Sequence, residues 1–433
     1  MEEIELNNDE LRNTKCNLDG NPKIGWIHNK NGLFLKTYKW VAKNATGIIL
    51  LIHGFRVHTQ LTFMRTNLKM PNNNEGLVLD NNNYYIYKDS WIENFNKNGY
   101  SVYALDLQGH GESQTWKNIK GNFSSFDDLV DDVIQYMNQI QDEISNDNQT
   151  NGEPHDIVTT KKKRLPMYII GHSMGGNIVL RILQLLGKAK ENDINSGDAK
   201  NYKNCNSILD NSTNIDEIDN DMNNYNDYVS DNSFASTSAT TSAIASAVGK
   251  DEGLYNCLDK FNIKGCVSLS GMIRIKSKWD PGNKSYMYFY LPIISFLSRV
   301  APRARVSLES RYNMFGHYAN RFRLYKILNI NRTKFKCISE LIKATITLDC
   351  DINYMPNDIP LLFVHSKDDT VCSYEWAVSF HDKVKVNKKE LYTVDGMNHG
   401  TPTRAGNEEI LKKIIDWISD LRSNDEDEKV NEI

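Results

Sequence analysis

The chain predicts an α/β fold in which a mostly parallel, doubly wound sheet carries helices on both faces. Three observations carry that prediction. Apolar runs such as Thr46–Ile52, Tyr168–Ile170 and Ile359–Val364 lack the polar alternation of a half-exposed strand, and fit strands buried on both faces. Segments with helical spacing separate them, which is the pattern of repeated strand–helix units. Glycine-rich turns follow the runs, at His53-Gly54, Gly109-His110-Gly111 and Gly171, and the carboxyl ends of such strands are where these sheets bind ligands.

Taken in order, residues 1–20 read as a polar extension. Lys23 to Val41 suits two strands joined by a hairpin at Asn29-Lys30-Asn31-Gly32. Thr46–Ile52 is the first buried strand. The asparagine triplets at 72–74 and 81–83 mark residues 67–90 as a solvated insertion, and a helix is expected near Trp91–Asn98. Tyr100–Asp106 is the next strand. A serine N-cap at Ser124-Ser125, followed by Asp127 and Asp128, starts a helix to about Ile144, with a polar loop over 145–163. The strand ending at Gly171 runs into a helix from about Asn177. Residues 190–253 are rich in Asn, Asp, Ser and Thr; that composition buries too little surface to offset the entropy of ordering, so a disordered insertion is expected. Ile263–Ser270 resumes the sheet. Residues 272–355 read as a helical cap, with an aromatic run at Tyr286–Leu297 followed by Arg299, Arg303, Arg305, Arg311, Arg321 and Arg323. Ile359–His365 and Glu390–Val394 complete the strands. Glu408–Leu421 forms a closing helix with Ile410, Leu411, Ile414, Ile415 and Ile418 on one face, and an acidic, disordered tail is expected from Asn424. The domain thus covers 21–423.

Bulk composition bounds the function. A net charge of −4 over 433 residues gives no basic footprint for nucleic acid. Seven cysteines, at 16, 205, 257, 266, 337, 350 and 372, have no metal-ligand spacing and read as reduced thiols of a cytoplasmic compartment. The first residues lack the apolar stretch of a secretory signal, and no run approaches the roughly 20 apolar residues of a membrane span. Neither a metal nor a cofactor is expected.

The chemistry centres on Gly171-His172-Ser173-Met174-Gly175. Between a strand and a helix, this Gly-x-Ser-x-Gly forms a sharp turn that exposes the serine hydroxyl; the alternative is an ordinary glycine-rich turn. The N–H of Met174, at the helix start, would point at a developing oxyanion, and a second N–H is expected from Phe55, after the His53-Gly54 strand. A serine hydroxyl is a weak nucleophile without a base, and the base needs a partner to fix its tautomer. Downstream of Ser173, Asp368 and Asp369 lie at a strand end and His399 lies past the last strand, flanked by Gly396 and Gly400. His53, His110, His172 and His381 read as structural, and His317 as a cap residue without a catalytic role. Asp395 precedes His399 by too few residues to come from a separate strand end.

With those residues in view, the chain resembles the α/β-hydrolase branch that contains monoacylglycerol lipases and lysophospholipases, within the S33-type hydrolases. The matching motifs are His53-Gly54-Phe55 with His58, Asp106–Ser113, Gly171–Gly175, Asp369 and Asn398-His399-Gly400. The asparagine-rich inserts and Phe55-Arg56-Val57-His58-Thr59 look like the lysophospholipase-like proteins of malaria parasites. The resemblance implies Ser173 as nucleophile, His399 as base, Phe55 and Met174 as oxyanion donors, and Asp369 rather than Asp368 as the acid, because Ser366 takes the place of the glycine in the family's Gly-x-x-Asp motif. It also implies hydrolysis of an acyl ester of a single-chain lipid, a lysophospholipid or monoacylglycerol. Arg56-Val57 departs from the Gly-Glu pair usual in monoacylglycerol lipases, which puts the headgroup in question. The other readings are a small-ester carboxylesterase or aminopeptidase of the same fold, and a non-catalytic interaction protein. The apolar cap and its arginines would suit an acyl chain, an anionic headgroup or peripheral membrane contact, and equally a cap core with a solvated face.

Overall fold

The computed structural model describes residues 18–66, 85–119, 121–150, 164–196, 261–276, 288, 291–301, 305–307 and 332–431. Most of the polar segments expected at 1–20, 67–90, 145–163 and 190–253 lie outside these residues, as do His317, Arg303, Arg311, Arg321 and Arg323.

The sheet has eight strands: β1 (Lys23–His28), β2 (Phe34–Trp40), β3 (Gly47–Ile52), β4 (Tyr100–Leu105), β5 (Met167–His172), β6 (Ile263–Leu269), β7 (Leu361–Ser366) and β8 (Lys389–Val394). Their spatial order is β1-β2-β4-β3-β5-β6-β7-β8. The pairs β1/β2 and β2/β4 are antiparallel, and every later pair is parallel. At the β1–β2 hairpin the Asn29 side chain accepts the N–H groups of Asn31 and Leu33, and Gly32 supplies the left-handed residue, at φ 75°. Successive residues of β3 feed opposite layers. Ile48, Leu50 and Ile52 pack on one face; Ile49 and Leu51 pack on the other. That is why the run shows no polar alternation.

Helices cover both layers. On the first face lie α2 (Phe126–Thr150), α3 (Met174–Ser196), α5 (Phe335–Cys350) and α6 (Tyr374–Lys383). On the second lie α1 (Trp91–Lys97) and α7 (Asn407–Asn431). The N-cap of α2 is Ser125, whose hydroxyl accepts the Asp128 N–H at 3.1 Å. Three helices run longer than their composition suggests. The helix α2 continues past Ile144 to Thr150, α3 past Lys190 to Ser196, and α7 past Leu421 to Asn431 through the acidic stretch expected to be disordered. The physical reason is the absence of a breaker: the first glycines after α2 and α3 are Gly152 and Gly197, and no Gly or Pro follows Asn407.

Between β6 and β7 stands α4 (Leu291–Val300), packed on α5 through Ile294, Ile338, Ile342 and Ile346. A two-stranded pair, Arg305–Ser307 with Arg332–Lys334, sits in the same stretch. Within the stretch expected as a cap, Met272 and Ile273 belong to the core, and Ile275 bridges to Cys372. Among the described residues no helix is long and apolar enough to cross a membrane.

Ile170 lies in the middle of β5, fully buried against the second helical layer. Ile170→Ala should lower unfolding stability by about 2–5 kcal/mol, measured by urea denaturation with the slope unchanged.

Candidate active site

Strand β5 ends at His172, and α3 starts at Met174. Ser173, between them, holds φ at 58°, a left-handed conformation that costs a non-glycine residue energy. Its backbone is held on both sides: its N–H donates to Leu269 O at 3.0 Å, while its carbonyl accepts from Gly176 N at 2.9 Å and Met272 N at 2.8 Å. The turn closes only without side chains. A Cβ on Gly171 would come within 2.1 Å of the Gly175 carbonyl oxygen, and one on Gly175 within 2.3 Å of the Ile52 oxygen. A Cβ on Gly54 would meet the Ser173 Cβ at 2.9 Å, so the segment leading to Phe55 runs directly against the serine. Met174 is buried at the first position of α3. The Phe55 ring packs edge-on to Phe123 and His110, with centroids 6.2 and 5.5 Å away.

The three residues singled out for nucleophilic chemistry form one hydrogen-bonded chain. Ser173 Oγ lies 2.7 Å from His399 Nε2. His399 Nδ1 lies 2.8 Å from Asp369 Oδ2. A carboxylate only accepts, so Nδ1 carries the hydrogen and Nε2 of the neutral ring can take the serine proton. Asp369 Oδ1 accepts the N–H groups of Val371 at 2.8 Å and Cys372 at 2.9 Å. Asp368 is exposed and instead accepts the Gly396 N–H at 2.8 Å. Asp395 pairs with Lys367 on the surface.

Electrostatics follow from this packing. Burial alone would lower the His399 imidazole, but the Asp369 carboxylate, with Cys372, outweighs it and raises the ring above its ordinary value. Burial would raise Asp369; His399, His365 and their hydrogen bonds hold it well below the usual carboxylate range. The other site histidines behave differently. His53 Nε2 accepts the Leu107 N–H at 2.9 Å, so its Nδ1–H donates to Gly54 O. His172 Nε2–H donates to His399 O at 3.0 Å. Burial lowers His53 and His172 to about 3 and His110 to about 4. At neutral pH all three are uncharged rings that tie loops together.

The His399 loop is tethered at more points than its sequence advertises. Ser366 Oγ–H donates to Met397 O, Ser270 and Thr401 share a buried hydroxyl contact of 3.0 Å, and Asn398 Oδ1 accepts from Arg404 Nε. Sequence reading gave no role to Ser270, Thr401, Gln108 or His365. Gln108 donates to Asp132 Oδ2 and accepts the Ser124 N–H. Only His365, a histidine inside an apolar strand, carried a signal that could have drawn notice. Among the described residues no three His, Cys, Asp or Glu side chains are grouped to hold a metal.

A family model described as serine aminopeptidase, S33, matches residues 81–197 and 242–403, more than half of the chain. The chain belongs to the S33 family. No curated protein sequence matches it. Among solved structures, a soluble variant of monoglyceride lipase from Saccharomyces cerevisiae is 15% identical, with TM-score 0.54, covering 92% of this chain and 95% of the other. A monoacylglycerol lipase of Paleococcus ferrophilus is 16% identical, with TM-score 0.50, over 89% and 99%. A carboxyl esterase of Bacillus coagulans is 12% identical, with TM-score 0.50, over 92% and 98%. At these identities the likeness is one of fold. The S33 protein is an α/β hydrolase, as its motif order implies.

The close approach at the elbow is testable without any substrate. Gly175→Ala forces a Cβ into the Ile52 and His53 carbonyls and should cost at least about 2 kcal/mol, read as a lowered thermal midpoint. An unchanged midpoint would mean that β3 and α3 are not in contact there.

Proposed function

We propose that the protein is a serine ester hydrolase that cleaves the acyl ester of a single-chain lipid, a lysophospholipid or monoacylglycerol. The observation that carries the reading is the unbroken chain Ser173 Oγ, His399 Nε2, His399 Nδ1, Asp369 Oδ2, with contacts of 2.7 and 2.8 Å. In this reading Ser173 Oγ attacks the ester carbonyl as His399 Nε2 removes its proton. The N–H groups of Phe55 and Met174 receive the developing oxyanion. The tetrahedral adduct expels the alcohol, which leaves with the proton held on His399, and an acyl-serine remains. Water, deprotonated by the same imidazole, then releases the fatty acid. Asp369 stays ionised throughout and stabilises the imidazolium.

The lipid assignment draws on two supports. The stretch between β6 and β7 exposes large apolar side chains at Tyr288, Ile293, Phe296 and Val300, an apolar surface suited to an acyl chain and to peripheral contact with a membrane. The motif order is that of monoacylglycerol lipases and lysophospholipases. The description of the S33 family model favours a second reading, an aminopeptidase. That activity needs an acid to hold a substrate amine. Buried Asp106 is committed elsewhere, accepting from Tyr38 O–H and from the N–H groups of Thr59 and Glu112.

Purified protein should hydrolyse lysophosphatidylcholine and monoacylglycerol as well as a short aryl ester, and Ser173→Ala should lower kcat for each by about 10⁶. Turnover of only the aryl ester would remove the lipid assignment, and turnover of only an aminoacyl anilide would favour the aminopeptidase.

The pH profile carries a sign. A base must be neutral to accept the serine proton, and His399 is raised above the ordinary histidine value. The ascending limb of kcat/KM should therefore lie above pH ~6.5. Asp369→Asn removes the charge that raises it, so the limb should move downward while the plateau falls by about 10⁴.

A further inference from the structure

Strand β7 reads Leu361-Leu362-Phe363-Val364-His365-Ser366, and His365 does not suit a run buried on both faces. It is 2% exposed, and a buried imidazole is unfavourable unless its nitrogens are bonded. Its Nε2 lies 3.4 Å from Asp369 Oδ2 and 3.5 Å from Cys372 O. Both partners only accept, so Nε2 carries a hydrogen, which bonds the Cys372 carbonyl and lies beside the Asp369 oxygen. Asp369 Oδ2 is the same oxygen that takes the His399 Nδ1–H at 2.8 Å. One carboxylate oxygen thus stands between two imidazoles.

The surroundings fix this arrangement. In the parallel register His365 faces Thr393, whose hydroxyl meets Tyr374 OH at 2.9 Å, and the Tyr374 ring lies 6.2 Å from that of His365. The Ile275–Cys372 bridge holds the other acceptor. Among the described residues, the other polar groups around the pair include the Val371 and Cys372 N–H groups on Oδ1, Lys276 Nζ on the Asp369 carbonyl, the Cys372 thiol and His172 beside His399, and Glu375 on the His365 side. None of these donates to Oδ2.

We propose that His365 is a positioning residue, whose Nε2–H fixes the Asp369 carboxylate toward His399 and absorbs part of the negative charge that would otherwise hold the His399 proton. The idea rests on Ser173 and His399 acting as nucleophile and base. Asp369 retains the His399 proton; His365 loosens that grip. Without His365, Oδ2 carries more unshared charge, and His399 gives up its proton only at higher pH. A purely structural histidine would change stability or overall rate and leave the titration in place.

The test is the pH dependence of phosphonylation of Ser173 by a fluorophosphonate in the full-length protein. That labelling needs the nucleophile and base but no natural substrate. In His365→Leu the ascending limb should move up by about 0.5 pH unit, slowing labelling below the limb about threefold. In His365→Gln, whose amide N–H can still donate, the limb should stay near that of wild type. If the leucine variant does not fold, His365→Asn replaces it; its amide is too short to reach Oδ2, and its limb must also move up. An unmoved limb in His365→Leu, or equal shifts in the Leu and Gln variants, overturns the positioning role while leaving Ser173 as nucleophile. Labelling that follows the expected shifts upholds it even where no lipid ester is cleaved, whereas a wild-type Ser173 that does not react at all overturns both readings.

Discussion

Ser173 can face His399 only because three backbone segments approach more closely than side chains permit. The C-terminal end of β3, the turn after β5 and the first residues of α3 meet at Gly54, Gly171 and Gly175, each with a would-be Cβ within 3 Å of a neighbour. The approach forces Ser173 into a left-handed conformation, whose cost the surrounding hydrogen bonds to Leu269, Gly176 and Met272 offset. Packing also creates the helix start at Met174. The parallel sheet, buried on both faces, is what makes so tight a junction stable, because neither β3 nor β5 can move without opening a core layer.

Much of this was legible in the sequence because it depends on short-range constraints. Uniform apolar runs announced the strands, and glycines at fixed offsets from Ser173 announced the turn. Asp368, Asp369 and His399 stand out by their positions after β7 and β8, and resemblance to the Gly-x-x-Asp motif favours Asp369. The choice between Asp368 and Asp369 did not follow from spacing, since both lie at the same strand end. It turns on which side chain points inward, and the structure places Asp369 inward with His399 and Asp368 outward on Gly396. The tethers on the His399 loop were not legible either. Ser270 and Thr401 are 131 residues apart, and nothing local to either predicts the contact. The ends of α2, α3 and α7 are not legible, because polar composition suggests a loop after α2 and disorder after α3 and α7, whereas a helix already nucleated on a core continues through polar residues.

The site histidines divide into two kinds by their partners. His53 and His172 meet backbone groups, which hold a neutral ring well and a charged one poorly once buried. His399 meets a carboxylate, which favours the charged ring. Residue type is the same; what differs is whether the partner carries a full negative charge. His365 has one acceptor of each kind nearby, a carboxylate oxygen at 3.4 Å and a carbonyl oxygen at 3.5 Å.

That charge creates a tension between folding and chemistry. The folded-state value of His399 is raised above its unfolded 6.5, so its pairing with Asp369 stabilises the fold fully below pH 6.5 and is lost as pH rises through the folded value. Asp369 is lowered from 3.8, so its contribution is present above 3.8 and is lost only as pH falls through its depressed value. The ion pair is therefore strongest between those limits, with His399 protonated. A protonated His399 cannot accept a proton from Ser173. In the proposed mechanism His399 can act as a general base only where this pair has been discharged, so the backbone hydrogen bonds to Asp369 Oδ1, the ring of tethers on the His399 loop and the glycine-tight elbow must hold the geometry after the charge attraction has gone. These contacts do not depend on a charged His399, and they keep the site assembled once that ring is neutral.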